Sequence, residues 1–589
     1  MNMWNRFLLL VANVLVAQVA LAQYDLYVYV NFPGTLEETV QQISDSARFS
    51  TTSMKVIGPL NGKDMMFIRD MCGINDLSVP SSGKLRILDI SETNIIGDED
   101  VYMSMMGKDM ISYDDHFGGG FLYNCSGLEE LFLPQSIISI DTLALAGCSN
   151  LKHLEIPPTV QSIGYGAFVD CSSITTLTLP NSVTVLEEGA FQRMTSLEEL
   201  TLGDNLVGLD NSALMGDINL KTLNLGNSFK DFSPLLFYNT PSLSDINVGS
   251  GNPNYCSIEG VMFNNNADTL VAFPASSSFE EYSVPEGVSC IAPWAFCNAS
   301  LLKSVFMPAS LETIDSLAFF DCHALENVQL NEGLRTMAFG AFGGLSCLQD
   351  LSVPSSVSKI EGGAFLLNTA LARLHVDAAN LYYSVGENGW LYDIEKKNLY
   401  YVPSTTQEGN IPETVNSVGD YAFAGVSRLP HVVLGDNVTS IGDGAFAYSN
   451  SISQIMLGKN ISEIGERVVD GCDNLHAVYC FMPSLDDDKI NELAFFDESG
   501  AVAEQCTLYV LPGSLSYYTR KKGFSIDGLS FFAEVKEMVN ADGIREIDRL
   551  QNAKEVRLYD VAGRKVESKR RGVNITIGEK GRALKLIVK

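Results

Sequence analysis

The chain has 589 residues, of which 46% are apolar and 19% are charged, and its net charge is −32. This composition is typical of a folded chain and excludes a largely disordered one. The negative charge repels nucleic-acid phosphates and anionic lipids, so we expect neither as a partner of the main body.

The first 22 residues have the three parts of a secretory signal peptide. Arg6 provides the positive end, Phe7–Val19 the apolar stretch, and Ala20–Ala22 a small-residue cleavage site. The alternative is an uncleaved membrane anchor, which the polar Asn13 and Gln18 disfavour. We therefore predict an exported protein at the cell surface or outside the cell, with the periplasm as the alternative. After cleavage it is not expected to be an integral membrane protein.

Residues 23–120 are predicted to form an N-terminal cap. Tyr24–Val30 alternates like a strand, and Met54–Gly58 leads into a segment typical of a helix. A cap is needed because the first coil of a repeat stack otherwise exposes an apolar face and an unpaired strand edge. Gly118–Gly120 follows His116 as in an oxyanion loop, but no nucleophile motif accompanies it, so we interpret it as a connector.

A 23-residue spacing organises the middle of the chain. Thirteen units carry a landmark residue, most often Phe after Ala, and the spacing is broken only by jumps of 59 and 58 residues. The landmarks are Leu122, Leu145, Phe168, Phe191, Leu214, Phe237, Phe296, Phe319, Phe342, Phe365, Phe423, Phe446 and Val469. Such a period is the signature of stacked coils that bury a shared core.

Each unit has the same physical grammar. An apolar triplet such as Ile174, Leu177 and Leu179 follows the landmark, and its last two members share one face of a short strand. Pro180 then ends the strand, because proline cannot donate to a ladder. A second short segment, Val160–Ile163 in one copy, precedes the next landmark. The predicted fold is a solenoid of short strands and turns.

At these residues the chain resembles the BspA-like (type 5) leucine-rich repeats, with their pattern LxxLxLPxSVxxIxxxAFxxC. The copy Ile174–Phe191, ITTLTLPNSVTVLEEGAF, departs from it only with Ile at the first Leu and Leu at the later Ile. The resemblance covers about residues 120–480 and implies a leucine-rich-repeat solenoid. It further implies a secreted or surface-exposed protein of a host-associated microbe, with adhesion to host matrix proteins or other cells as the expected role.

Two interruptions, near 249–285 and 376–412, are predicted to be expanded coils with projecting hairpins. The second is rich in aromatic residues, which are candidate ligand-binding residues if exposed. They are Tyr382, Tyr383, Trp390, Tyr392, Tyr400 and Tyr401. The alternative, which we favour, is that alternate rings pack against the solenoid and the others are ordinary strand residues.

Five of the twelve cysteines occupy one repeat position, three residues after the landmark. Most other copies have a small or apolar residue there, with Asp217 and Asn368 as exceptions, so buried free thiols are predicted. The five are Cys125, Cys148, Cys171, Cys322 and Cys472. Cys480 and Cys506 are better candidates for a disulfide in an exported protein.

The pattern fades after Val469, and we predict a C-terminal cap at 481–538. Residues 543–589 contain thirteen Lys or Arg against six Asp or Glu, a net +7 that leaves −39 for the rest, which favours a separate module. Val556–Val566, Gly572–Ile575 and Leu584–Lys589 are predicted strands. They resemble the C-terminal sorting domains of type IX secretion, which implies contact with secretion or attachment machinery. The alternative is a purely structural β end.

No motif for catalysis, metal binding or a cofactor accompanies these features. GxSxG, P-loop and HExxH patterns are missing, and Asp486–Asp488 lacks the Gly and Glu of a calcium loop. We therefore predict a non-enzymatic binding protein that adheres to host or microbial protein or glycan, host extracellular matrix included, through its repeat surface. The alternative is an envelope component for polysaccharide capture or protein–protein scaffolding.

Overall fold

The computed structural model describes residues 24–75, 78–482, 489–521, 523–526 and 529–538, and the backbone of strands Arg557–Asp560, Gly572–Ile577 and Ala583–Val588. The chain divides into two compact units, Met1–Val385 and Gly386–Lys589, which we call the N-terminal and C-terminal units. The predicted signal peptide and Asp486–Asp488 lie outside the described residues.

The N-terminal unit begins with a cap that shares a sheet with the first coils. The predicted first strand and strand–helix pair are confirmed, and Asn61 begins the helix with a capping box to Asp64. The cap strands are Leu26–Tyr29, Ser53–Leu60 and Ile87–Ile95, and the helices are Leu36–Ile43, Ala47–Ser50 and Gly62–Met71. The third cap strand pairs in parallel with coil strand Glu130–Phe132, which leaves that coil edge covered.

The coils that follow contribute strands to two sets of parallel ladders. In the first set, partners are 23 residues apart, as in Thr176 with Glu199, and the same spacing joins Ser162 to Val185 in the second. The first set comprises Glu130–Phe132, His153–Leu154, Thr176–Thr178, Glu199–Thr201, Thr222–Leu225, Asp245–Val248, Glu281–Ser283, Ser304–Phe306, Asn327–Gln329, Asp350–Val353 and Arg373–Val376. The second set comprises His116–Phe117, Ser139–Ile140, Ser162–Ile163, Val185–Leu186, Gly208–Leu209, Asp231–Phe232, Cys290–Ile291, Thr313–Ile314, Thr336–Met337 and Lys359–Ile360. The predicted leucine-rich-repeat solenoid is thereby confirmed.

The C-terminal unit repeats this construction. Its strands are Leu391–Asp393, Asn398–Tyr401, Ser417–Val418, His431–Val433, Ser440–Ile441, Gln454–Leu457, Glu463–Ile464, Ala477–Cys480, Thr507–Val510, Ser525–Ile526, Leu529–Ser530 and Glu534–Glu537, with helices Ala501–Gln505 and Leu515–Tyr518. The last of the paired coil strands, Glu534–Glu537, lies beside Thr507–Val510. The three strands predicted near the C-terminus are present and antiparallel.

The landmark phenylalanines form stacked ladders in the core. Phe319 lies 5.3 Å from Phe342 between ring centroids, with the two planes only 4° apart, and Phe296 lies 4.6 Å from Phe319. In the C-terminal unit, Phe423 and Phe446 are 5.3 Å apart. Each of these rings packs against the landmark ring of the neighbouring coil, so the landmark is a packing position.

In six copies the position three residues after the landmark is a hydrogen-bond donor as well as a small buried site. Its side chain there donates to the backbone carbonyl 26 residues earlier, as in Cys322 to Phe296 at 2.9 Å and Ser449 to Phe423 at 2.5 Å. All five cysteines predicted to be buried thiols are buried. The donor role explains why Cys, Ser and Asn recur there, because each offers a short S–H, O–H or N–H group.

Two sequence expectations are wrong. Cys480 and Cys506 do not form a disulfide, because the register pairs Cys480 with Val510 and both thiols stay free and buried. The interrupting hairpins do not project. Strands Tyr255–Ile258, Val261–Asn264 and Thr269–Ala272 join the second set of ladders, and Val261, Met262 and Phe263 are fully buried. Burial of these apolar side chains holds the hairpin inside the sheet.

Candidate binding surfaces

The aromatic cluster singled out in the sequence is largely core. The exposed fractions are 7% for Tyr383, 1% for Trp390, 2% for Tyr392 and 3% for Tyr401, which corrects the idea of an exposed cluster. Ile360 donates its amide to the Tyr383 hydroxyl at 2.7 Å, and Asn388 donates to that of Tyr392 at 2.8 Å. Trp390 packs edge-on against Phe423.

Two of the six aromatic candidates remain at the surface. Tyr382 is 51% exposed and Tyr400 is half-buried. Tyr382 belongs to the N-terminal unit and Tyr400 to the C-terminal unit. Alternation explains the difference between Tyr400 and Tyr401, because consecutive strand residues point to opposite faces. It does not explain Trp390 and Tyr392, because both are buried together with Leu391 between them. Ligand binding by these tyrosines stays a prediction.

A polar ladder covers part of the outward face of the first set of strands in the N-terminal unit. Thr178, Thr201, Asn224 and Asn247 are direct partners in the parallel register. Asn247 donates to the Asn224 side-chain oxygen at 2.9 Å, and Asn224 donates to the Thr201 hydroxyl at 2.9 Å. These bonds fix the side chains, so the face presents ordered donors and acceptors at the spacing of the strands, about 4.8 Å.

The same repeat position is apolar in the C-terminal unit. Val433, Met456, Tyr479 and Tyr509 are register partners there, and the two tyrosine rings stack at 4.8 Å. They pack with Phe481 and Met538 into a small apolar cluster separate from the main core. This part of the C-terminal row is therefore apolar, in contrast to the polar ladder of the N-terminal unit, whose row also includes the exposed Phe132 and Phe306.

Exposed ion pairs also follow the repeat. Arg193 donates to Asp170 from two guanidinium nitrogens, Nε at 2.7 Å and Nη2 at 2.6 Å, and these hydrogen bonds hold the pKa of the Asp170 carboxyl below its usual value. Others link Lys152 to Glu129 and Lys459 to Asp436. Each pair joins residues 23 apart and thus ties neighbouring coils.

Ser139, His116 and Asp141 lie together but do not form a catalytic triad. Asp141 lies between the other two, since His116 Nδ1 is 3.2 Å from its carboxylate and Ser139 also donates to it. A hydrolytic triad instead needs histidine between serine and aspartate. Within the residues that the structure describes, no group of three or more His, Cys, Asp or Glu side chains is placed to hold a metal ion.

The sequence model for the BspA type leucine rich repeat region matches the chain at residues 116–244, 253–384 and 393–500, in six copies. The chain belongs to this family. The matches leave short gaps at the two expanded coils, where the 23-residue count is interrupted. A comparison with curated proteins finds no significant match. Among the described residues, no helix is long and apolar enough to span a membrane.

Solved structures with a similar fold share low sequence identity with the chain. The pneumococcal vaccine antigen PcpA is 20% identical, with 70% of this chain and 80% of that chain covered and a TM-score of 0.39. A leucine rich cell surface protein from Faecalibacterium prausnitzii is 20% identical, with 66% and 85% covered and a TM-score of 0.34. A leucine-rich repeat protein from Eubacterium ventriosum is 18% identical, with 64% and 84% covered and a TM-score of 0.36.

Proposed function

We propose that this chain is a non-enzymatic, exported binding protein that recognises a protein or glycan through the outward face of its first set of strands. The observation that carries the proposal is the ordered polar ladder from Thr178 to Asn247. Family membership supports it, because repeat solenoids typically bind partners across an extended, rigid surface. Pre-ordered side chains lose little entropy on binding, which favours recognition.

The sequence features at both ends support export and attachment. The signal-peptide pattern of residues 1–22 directs the chain out of the cytoplasm, and the basic module at 543–589 serves as a sorting or attachment signal. Deleting residues 543–589 and fractionating the source cells tests the second part. Loss of surface display is expected, and unchanged display contradicts attachment through this module.

Recognition by the polar ladder is tested on an array of extracellular matrix proteins and glycans. A double variant, Thr178→Lys with Asn247→Lys, places two bulky charges on the face at exposed positions. We expect it to weaken binding at least about tenfold, a loss of ~1.4 kcal/mol. The matched control, Thr184→Lys with Asn205→Lys, adds the same charge at exposed positions off the ladder.

Two outcomes contradict the proposed face. One is equal binding by the double variant and its control, which places recognition elsewhere on the chain. The other is a complete lack of binding above that of an unrelated solenoid. Tyr382→Ala in the same assay tests the remaining exposed tyrosine of the N-terminal unit.

A further inference from the structure

A hairpin inserted before the first coil makes a groove that the repeats alone would lack. Its strands, Asp98–Met105 and Lys108–Ser112, pair antiparallel between the cap and the first coil. The Tyr102 hydroxyl donates to the Gly119 carbonyl at 2.8 Å, and the Tyr102 ring lies 5.0 Å from Phe121. Met103 is buried, which anchors the hairpin in the core.

The close packing of the hairpin against the first coil explains the three consecutive glycines at 118–120. A Cβ on Gly118 would lie 2.8 Å from the Tyr102 hydroxyl, and one on Gly120 would lie 2.8 Å from the Met105 methyl carbon. Gly120 also has a φ of +66°, which side-chain-bearing residues rarely adopt. The glycines therefore allow the hairpin to approach the coil closely. In this position the hairpin forms one wall of the groove.

The groove lies between this hairpin and the second set of strands and has a volume of about 390 Å³. The hairpin side contributes Lys108 and Asp109, and Tyr113 follows it. The coil side contributes polar side chains from four successive coils. They are His116, Ser139, Asp141, Ser162 and Glu187. The volume is at the small end of the range for ligand pockets, about 300–1,000 Å³, which suits one or two sugar rings.

The polar groups in the groove are held in place by one another. Asp141 accepts from Ser139 and faces His116 at 3.2 Å, and Glu187 accepts from the Tyr165 amide at 2.8 Å. Carboxylates only accept hydrogen bonds, so each offers its free lone pairs to hydroxyl donors. Burial raises the pKa of Tyr102, which keeps its hydroxyl neutral.

Charge decides which ligands suit the groove. Asp109, Asp141 and Glu187 outnumber Lys108, so phosphate, sulfate and other anions are repelled. The same carboxylates attract a cationic side chain as well, but Ser139, Ser162 and the Tyr113 ring add hydroxyl groups and a flat apolar face that a point charge does not use. A neutral ligand rich in hydroxyl groups uses both the carboxylates and these surfaces.

The rim supplies an aromatic surface. Tyr113 is 54% exposed, and its ring centroid lies 5.6 Å from that of His116. An exposed aromatic ring offers a flat apolar face beside a polar tip, which suits the C–H face of a sugar with hydroxyls at its edge.

We propose that this groove binds a neutral saccharide, one or two residues long, with Asp141 and Glu187 accepting its hydroxyls and Tyr113 covering its apolar face. The site adds a second recognition element to the proposed function and does not depend on the polar ladder. The two proposals fail separately, since ladder variants and groove variants alter different strands.

Calorimetric titration of residues 23–589 with neutral monosaccharides and their β-linked disaccharides tests the groove. Tyr113→Ala removes an exposed ring and Asp141→Asn keeps the shape of the side chain, so both variants should fold. We expect each to weaken the best saccharide at least about tenfold. Tyr448→Ala and Asp350→Asn are matched controls, since both residues lie outside the groove, and they should leave affinity unchanged.

Three outcomes overturn the saccharide site. Neutral sugars show no binding at millimolar concentration, or the groove variants bind as tightly as the controls. A lysine tripeptide that binds in preference to every sugar, and is lost with Asp141→Asn, assigns the groove to a basic protein segment instead.

Discussion

The two units share a coil interior and differ at one outward repeat position. Partners Thr178, Thr201, Asn224 and Asn247 make one stretch of this row polar in the N-terminal unit, whereas Val433, Met456, Tyr479 and Tyr509 make it apolar in the C-terminal unit. Inward positions must fill a fixed space, but outward positions face no such constraint. We therefore expect binding residues at the outward positions that differ between the two units.

The largest effect on stability is expected in the interior that the two units share, and it should be equal in both units. Phe319→Ala in the N-terminal unit and Phe446→Ala in the C-terminal unit each remove a buried ring that packs on the landmark ring of a neighbouring coil, stacked for Phe319 and tilted for Phe446. Each should lower the free energy of unfolding of its own unit by about 3–5 kcal/mol. Denaturant titration with hydrogen exchange resolves the units, and a much smaller loss in one would break the equivalence of the two interiors.

The second largest effect is expected at the buried position three residues after the landmark, where one coil of the N-terminal unit has an acid, Asp217. Asp217 is fully buried, and burial raises its pKa to about 8. Asn368, at the same position, accepts from the Leu345 amide at 2.8 Å and donates to the Phe342 carbonyl at 2.7 Å. Asp217 accepts equivalently from Met194 at 2.8 Å, but its other oxygen has no partner among the described residues. Only the protonated acid can donate as Asn368 does.

Asp217 should make the N-terminal unit sensitive to pH. The folded pKa is raised, so the unfolded chain loses this proton first, and stability present below about pH 4 is lost as pH rises towards 8. The slope is at most about 1.4 kcal/mol per pH unit. Asp217→Asn should remove this slope and stabilise the unit at pH 8.

The matched control for this slope is the reverse change, Asn368→Asp, which should add one. Denaturant titrations from pH 5 to pH 8 measure both variants. An unchanged slope in Asp217→Asn would show that Asp217 is ionised in the folded chain.

The outward row itself gives a smaller effect. Tyr479→Thr introduces the N-terminal residue type into the C-terminal row and removes the ring stacked on Tyr509. The C-terminal unit should lose about 0.5–1.5 kcal/mol from the aromatic pair, plus the lost burial. Thermal unfolding checks this, with the exposed Tyr448→Thr as control. An effect equal to that of the control would mean that the apolar row adds nothing to stability.

The surface ion pairs should matter least. Arg193 and Asp170 are each about half exposed, so solvent screens their attraction. A double-mutant cycle with Arg193→Gln and Asp170→Asn should give less than about 1 kcal/mol, and less again in high salt. A larger, salt-independent coupling would indicate that these pairs help to define the stacking of the coils.

Much of the interior was predictable because repetition makes every inward position appear many times. The 23-residue spacing, the strand before Pro180 and the buried Cys171 all follow from the sequence and agree with the structure. The donor role of the cysteine position was missed, although the interchange of Cys, Ser and Asn pointed to it. Asn368 makes this hydrogen bond too, whereas Asp217 shares with it only the bond accepted from the amide 23 residues earlier.

Candidate sites were harder to predict because exposure depends on contacts between distant residues. The sequence makes Tyr383 and Trp390 candidate binding residues and favours packing of alternate rings, but it does not say which rings pack, and the structure buries both of these. Conversely, nothing local links Tyr113 to Glu187, which the hairpin and the fourth coil bring to one groove.

The sequence by itself determined the coil, since a regular period of apolar residues can bury its side chains only by stacking. It also determined the family and the positive net charge of residues 543–589 within a negative chain. Only the tertiary structure decided which aromatic residues stay at the surface and that three glycines admit a hairpin against the first coil. Local patterns record how a segment buries its own side chains, whereas a groove arises from how separate segments pack together.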